Sequence, residues 1–379
     1  MTARRSALLG AAAAGLLAFP LVSEVRIRRV AQPLTDRWRR LAVEPAGSMA
    51  LGFSARPRQA EALGLDPLDS LRTLLELPFG IVRLGAYWDR VEPVAGAFDP
   101  TELDREVEAV EQAGRRIVIC VGAVKTFGYP ECFIPGHHLD RPIPEGTLVT
   151  RRTHPALLDA ATAQVRRVVE RYRDHDSVIA WQVEHEAVDP LGVEHSWRLA
   201  TAFVEDEVAA VRALDPTRPI LMNGFLPTSL AVRAQQAWRT RDQGDSLALA
   251  GRVADTLGLD VYPRHAVVGA GPWSVYFDGR SAAWNLPRVR RLSQQVMVTE
   301  GQAEPWETST RPPILRGRTA YSCGPDGVIH NYNRCVRAAR ERGVALSAYL
   351  FWGAEYWVRR MRDGDPSYLG AVASVLEHA

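Results

Sequence analysis

The sequence predicts an α/β fold, a single-domain (β/α)8 TIM barrel, on three observations. From about residue 48 onward, short runs rich in β-branched residues alternate with longer helical patterns, the order of a parallel sheet covered by helices. Eight such units fit in the 379-residue chain, the number a closed barrel needs. The stretch after the first strand, "LGFSARPRQ", has no G-x-G-x-x-G and so lacks the phosphate-cradling loop usual in a doubly wound open sheet.

The first strand is expected at 49–54 and its helix at 68–77. Strand two, 81–87, is followed by a helix over 101–113, which Asp99-Pro100 opens and Gly114 ends. Strand three, 116–121, leads through a long loop, 126–153, to a helix over 155–172. Strand four, 178–183, precedes a helix at 197–214, and strand five, 219–223, one near 246–255. Strand six, 257–261, is paired with a helix around 286–292, and strand seven, 296–299, with one at 333–342. Strand eight, 344–351, is closed by a helix at 368–378. The barrel domain thus spans 48–379 without internal repeat, low-complexity tract or second-domain linker, and 23–47 is a basic segment ahead of it. Loop 126–153 carries Pro130, Pro135, Pro142 and Pro144 and is expected to wall a cleft. Removing its tip should then change substrate preference and spare the melting temperature.

Hydrophobic residues make up 46% of the chain and charged residues 24%, as in a globular protein with a large core. The net charge of +2 gives no electrostatic case for a nucleic-acid partner. Lys125 is the only lysine. Residues 1–22 read as an export signal or N-terminal anchor: Arg4-Arg5 stand before Ser6, and Ala7 to Val22 contain no polar side chain. The arginine pair resembles a twin-arginine signal. No small-x-small cleavage site follows Pro20, which leaves membrane attachment open, although the run is short for a span. The expectation is an exported protein, secreted or held at the cell envelope. Cys120, Cys132, Cys323 and Cys335 are too few for a disulfide framework and lack metal-binding spacing. Cys120 falls in an apolar run, and one disulfide among the other three is compatible with export. Oligomeric state is not legible.

Barrels of this kind build their active sites at the C-terminal ends of the strands. Strand two carries Arg83 and runs into Tyr87 and Trp88, and strand three runs into Lys125, Phe127 and Tyr129. Strand four ends on Glu184-His185-Glu186, strand five on Asn223, and strand six on Asp260 and Tyr262. Strand seven ends on Glu300, with Glu304 and Trp306 beyond it, and strand eight supplies Trp352, Glu355, Tyr356 and Trp357. Aromatic faces and carboxylates on one rim suit a carbohydrate, since cleaving a glycosidic bond takes two acids. One protonates the leaving oxygen; the other attacks the sugar or activates water. No cofactor or metal is expected: His185 begins no H-E-x-x-H, strand one has no His-x-His, and His137-His138 falls in a loop and reads as solvated.

On these residues the chain resembles the clan A (4/7 superfamily) retaining glycoside hydrolases, a group with many cellulase-, mannanase- and β-galactosidase-type enzymes. In "WQVEHE" the resemblance implies Glu186 as acid/base, and in "VMVTEGQAEPW" Glu300 as nucleophile. "RLGAYWDRVEPVAGAFDP" implies Arg83 as support for the nucleophile, "DVYP" implies Tyr262 as its hydrogen-bond partner, and "YLFWGAEYW" implies Trp352 as the floor under the sugar. His185 stands where these enzymes carry the asparagine that bonds the sugar 2-hydroxyl, so reach and protonation differ there. Glu184, two residues before Glu186, should point roughly the same way, need a partner such as an arginine, and raise the pKa of Glu186 by like charge. Trp88, Lys125, Glu304 and Glu355 are further candidate substrate contacts, against readings as core or rim residues. The implied activity is hydrolysis of an oligo- or polysaccharide by double displacement with two glutamates. The alternatives are an inactive carbohydrate-binding barrel and an envelope-polysaccharide transglycosylase.

Overall fold

The computed structural model describes residues 25–29, 36–129, 131–189, 196–228, 230–240, 242–270, 273–278, 285–293, 295–305 and 322–379. The expected export segment and Trp306 lie outside them. Eight parallel strands close into a barrel: β1 (Ala50–Ser54), β2 (Ile81–Gly85), β3 (Arg116–Cys120), β4 (Val178–Gln182), β5 (Ile220–Phe225), β6 (Thr256–Val261), β7 (Val296–Gln302) and β8 (Leu346–Trp352). β8 returns to β1 in register, Ala348 opposite Ala50 through Phe351 opposite Phe53, so no sheet edge is left open. The expected fold class is the observed one.

Most helices fall where the apolar periodicity puts them, and Pro155–Tyr172 matches its expected bounds, but the helix expected at 333–342 begins at Pro325 and a further helix, Ala354–Arg362, precedes the closing one. Four other features differ. The connection after β5 holds two helices, Leu230–Arg239 and Ser246–Val253, where one was expected. After β6 the chain inserts an antiparallel pair, Arg264–Ala270 and Trp273–Asp278, built from runs of β-branched and aromatic residues. Val25–Arg29 adds a third strand to that pair, so the segment ahead of the barrel is joined to it. The start of the helix expected at 197 is instead the strand Arg198–Leu199, paired with Leu148–Val149 of the long loop. The two ends of that loop are woven into the fold, with Thr126, Phe127, Glu131, Phe133 and Val149 buried, while residues 136–147 at its tip are exposed or half-buried. All four cysteines are free, so the disulfide that export would allow does not form. No helix among the described residues is long and apolar enough to cross a membrane.

Side chains of a strand alternate between its two faces, so inward positions recur every second residue. The rows read Ile81 then Arg83, Ala180 then Gln182, Leu221 then Asn223, and Met297 then Thr299. The first member of each row packs with Val118, Ala348 and Leu350 into an apolar plug at the N-terminal end of the barrel. The second member is polar and buried. Gly52 and Gly258 precede Ser54 and Asp260 by the same step, at points where the barrel leaves no room for a side chain. A Cβ on Gly52 would sit 2.2 Å from the Ile81 carbonyl oxygen and 2.7 Å from the Leu350 side chain. A much larger apolar cluster fills the shell between barrel and helices.

Gly52→Ala is therefore expected to destabilise the fold by about 1–3 kcal/mol, read as a lower urea midpoint with unchanged slope. A pH effect comes from Glu106, buried on the helix Thr101–Gln112 and pushed up to about 8, first by burial and then by the Glu102 charge. The folded chain keeps this proton while the unfolded chain loses it near 4.5, so unfolding free energy falls as pH rises between those values. Glu106→Gln should flatten that fall by roughly 1–4 kcal/mol in urea titrations at pH values spanning the window. An unchanged slope would contradict this assignment.

Candidate active site

The polar layer is organised around Arg83, which is fully buried with its guanidinium 3.9 Å from the centre of the Phe127 ring. Its Nε donates to Gln182 Oε1 at 2.7 Å, and one terminal nitrogen donates to Glu300 Oε1 at 2.9 Å and to the Ser54 hydroxyl at 3.3 Å. Glu300, on β7, accepts the Tyr262 hydroxyl on its second oxygen at 2.5 Å. Burial, and then the Glu300 and Asp260 charges, hold the Tyr262 phenol well above its ordinary range, so it remains the donor. The two carboxylate oxygens of Glu300 are thus fixed from opposite sides.

After Gln182 the chain leaves strand geometry. Glu184 and Glu186 take φ of +55° and +42°, the left-handed region that side-chain-bearing residues seldom occupy. The turn is held by backbone bonds: Val183 N to Leu221 O at 3.1 Å, His185 N to Lys125 O at 2.8 Å, and Asp189 N to Glu186 O at 3.1 Å. The turn separates the two glutamates. The Glu184 carboxylate accepts the backbone N–H groups of Val124 and Lys125, so its partners are amides where an arginine was expected. It does not follow Glu186, because strand alternation ends before residue 184. Gly122 makes room for it: a Cβ there would lie 2.2 Å from the Glu184 nitrogen. Burial pushes Glu184 up to about 7, and burial with the Glu184 charge keeps the neighbouring Glu207 carboxyl protonated.

Asn223 joins Glu186, His185 and Asp260. Its Oδ1 accepts Gln182 Nε2 at 3.0 Å and Glu186 N at 3.3 Å, while its Nδ2 donates to Asp260 Oδ2 at 2.5 Å and to His185 Nδ1 at 2.9 Å. Arg83 presents a second donor to Nδ1 at 3.3 Å. With two donors facing Nδ1, the ring proton belongs on Nε2, which lies 3.5 Å from Glu131 Oε1. Burial and the charges of Arg83 and Lys125 hold the imidazole well below its ordinary pKa, so it is neutral. Burial followed by the Glu300 charge pushes Asp260 up to about 8, and Asn223 links that carboxyl to the Glu186 backbone N–H.

Five other sequence candidates have protein partners. Lys125 is fully buried, donates to the backbone oxygens of Glu186 at 2.7 Å and Asp189 at 3.2 Å, and pairs with Glu131 at 3.0 Å. It braces the left-handed turn after β4 and is not a surface residue. Glu304 and Glu355 are buried, and both grip Arg56, with charged contacts of 2.8 Å to each. They are therefore held in place by Arg56 and are not solvated rim charges. Trp88 is fully buried, and its indole N–H donates to Glu92 at 2.9 Å. Trp352 packs with Phe127, Phe225 and Tyr262 at the C-terminal end of the barrel, with the Arg56 guanidinium 4.3 Å over its ring. Arg56 and Glu131 carried no motif and sit in loops; Gln182 stood inside the quoted "WQVEHE" without a role read for it.

His185 also brings metal-ligating atoms together, with Asp260 and Glu300 on one side and Glu131 and Glu186 on the other, each set within 4.8 Å. Arg83, buried 2.9 Å from Glu300 and 3.3 Å from His185, sets a fixed positive charge against a cation there.

The family model described as β-galactosidase (glycoside hydrolase 42) matches residues 68–205. β-Galactosidase BbgII of Bifidobacterium bifidum is 26% identical over 124 residues, 31% of this chain and 18% of that protein. BgaB of a Geobacillus strain is 28% identical over 115 residues, 28% of this chain and 17% of that protein. The match thus spans about a fifth of these curated relatives. Among solved structures, xylanase 10B of Thermotoga maritima superposes with a TM-score of 0.52 at 17% identity, covering 87% of this chain and 95% of that one. The exo-β-1,4-mannosidase Op5Man5 of an Opitutaceae bacterium gives 0.52 at 19% identity, covering 80% and 52%. At such identities the likeness is one of fold. By its closed barrel, by the glutamates ending β4 and β7, and by the matched segment, the chain resembles the clan A (β/α)8 glycoside hydrolases.

Proposed function

We propose that the chain hydrolyses a β-glycosidic bond of an oligo- or polysaccharide with retention, by double displacement. The observation that carries this is the unequal treatment of two carboxyl groups: Glu300 is clamped between Arg83 and Tyr262, while Glu186 stands on a turn joined through Asn223 to Asp260, a carboxyl pushed up to about 8. Environments that separate two acids in this way assign nucleophile and acid. Glu300 attacks the anomeric carbon as Glu186 gives its proton to the departing oxygen. Glu186 then takes a proton from water, whose oxygen attacks the same carbon and releases the Glu300 carboxylate. Asp260 and Asn223 hold Glu186 in place through both steps. His185, with its proton on Nε2, is the donor to the sugar hydroxyl beside the reacting carbon. Trp352, capped by Arg56 on one face, offers the other to the sugar ring. The matched β-galactosidase segment favours a β-galactoside as substrate, and the N-terminal segment favours action outside the cytoplasm.

Glu300→Ala should lower turnover of an aryl β-galactoside by about a thousandfold or more, with a melting temperature within a few degrees of wild type. Cleavage at the wild-type rate would refute the assignment. Product stereochemistry read by NMR should show retention; inversion would overturn the double displacement. If His185 bonds the 2-hydroxyl, the losses from His185→Ala and from a 2-deoxy substrate should not add, whereas full additivity would remove that contact.

A further inference from the structure

Glu92, His137 and His138 converge on one point outside the set described above. Glu92 directly follows the one-turn helix Trp88–Val91 beyond β2, and the histidines form the 3-10 turn Gly136–His138 of the long loop. Nε2 of His137 lies 3.3 Å and Nε2 of His138 3.1 Å from the same oxygen, Glu92 Oε1. All three atoms fall within 4.8 Å of one another. Tetrahedral zinc at its usual nitrogen and oxygen distances separates neighbouring ligand atoms by about 3.3–3.5 Å, close to the spacing seen.

The surroundings also fit a cation. Glu92 is 4% exposed, and its carboxylate is oriented by the Trp88 indole N–H at 2.9 Å and the Gly96 N–H at 2.9 Å. Outer hydrogen bonds of this kind orient metal ligands. The Trp88 ring backs His138 with centroids 4.5 Å apart. The histidine side chains are 26% and 20% exposed, which admits an ion and a water as fourth ligand. Arg167 lies 3.9 Å from Glu92 Oε2, but it is 41% exposed and free to swing outward, unlike the buried Arg83.

We propose that Glu92, His137 and His138 bind one divalent cation of the zinc class, with water completing the shell, and so tie the loop after β3 to the turn after β2. The tie reinforces contacts already present there: Asp89 N bonds Phe133 O at 2.9 Å, and Phe133 packs edge-on against Tyr87 at 4.8 Å. The same loop carries Glu131, which faces His185, so the ion would steady a wall of the barrel mouth.

The test uses the full chain, stripped with a chelator, incubated with a small excess of zinc chloride, desalted and measured for bound zinc, with thermal melts in parallel. The expected result is about one zinc per chain and a melting temperature raised by several degrees. Both effects should vanish in the His137→Ala/His138→Ala double variant and persist in a His154→Ala control. Should the double variant fail to fold, His137→Gln alone is expected to weaken zinc binding at least about tenfold. Wild type without bound zinc would overturn the proposal. So would zinc retained by the double variant, which would place the ion elsewhere, such as around His185.

Discussion

A guanidinium at the centre of a protein must be surrounded by acceptors, because nothing there replaces the water it has lost. Arg83 has no exposure, and much of the site is arranged around it. Gln182, Ser54 and the Glu300 carboxylate receive its protons, and the Phe127 ring covers its face. Gln182, so committed, gives its amide to Asn223, and Asn223 in turn orients His185 and Asp260. Glu300 reaches the same arginine from the far side of the barrel. One buried charge thus fixes the positions of groups on β1, β2, β4, β5, β6 and β7, and its partners set where a proton can and cannot reside.

Much of this layer was legible because strands count in twos. Once Ile81, Ala180, Leu221 and Met297 face the barrel interior, Arg83, Gln182, Asn223 and Thr299 must face it as well, one step nearer the mouth. Glu300, Glu186, Arg83 and Tyr262 were found through motifs at strand ends, where sequence position and spatial position coincide. The pairing of Arg56 with Glu304 and Glu355 was not legible, since it joins residues 248 and 299 positions apart and each partner lies beyond the end of a strand. Glu304 and Glu355 therefore looked like rim carboxylates with nothing to hold them. The same limit applied to Lys125, whose buried partners lie on a turn and a loop that leave no periodic trace. His137 and His138 read as solvated for the same reason: their partner Glu92 is about 45 positions away, and a loop has no pattern to announce the contact.

The fold and the site also divide the barrel between them. The N-terminal half of the barrel interior is closed by apolar side chains and two positions where only glycine fits. The C-terminal half holds the ionisable groups, supported from outside by Arg56 on one side and the Lys125–Glu131 pair on the other. Desolvation that strengthens the interactions among these groups also makes each of them expensive to leave without a partner.

Glu131, Glu184 and Glu186 all sit at positive φ, where a glycine would be more comfortable. At these three sites the backbone favours a residue that the proposed chemistry and its support do not. Glycine at position 186 would relieve the turn and remove the carboxyl that the proposed mechanism uses as its acid, so under that mechanism stability and catalysis pull in opposite directions. Under the proposed mechanism the strain of the left-handed turn after β4 is kept for the sake of a carboxyl, and a barrel of this kind that only bound sugars would have no such reason to keep it.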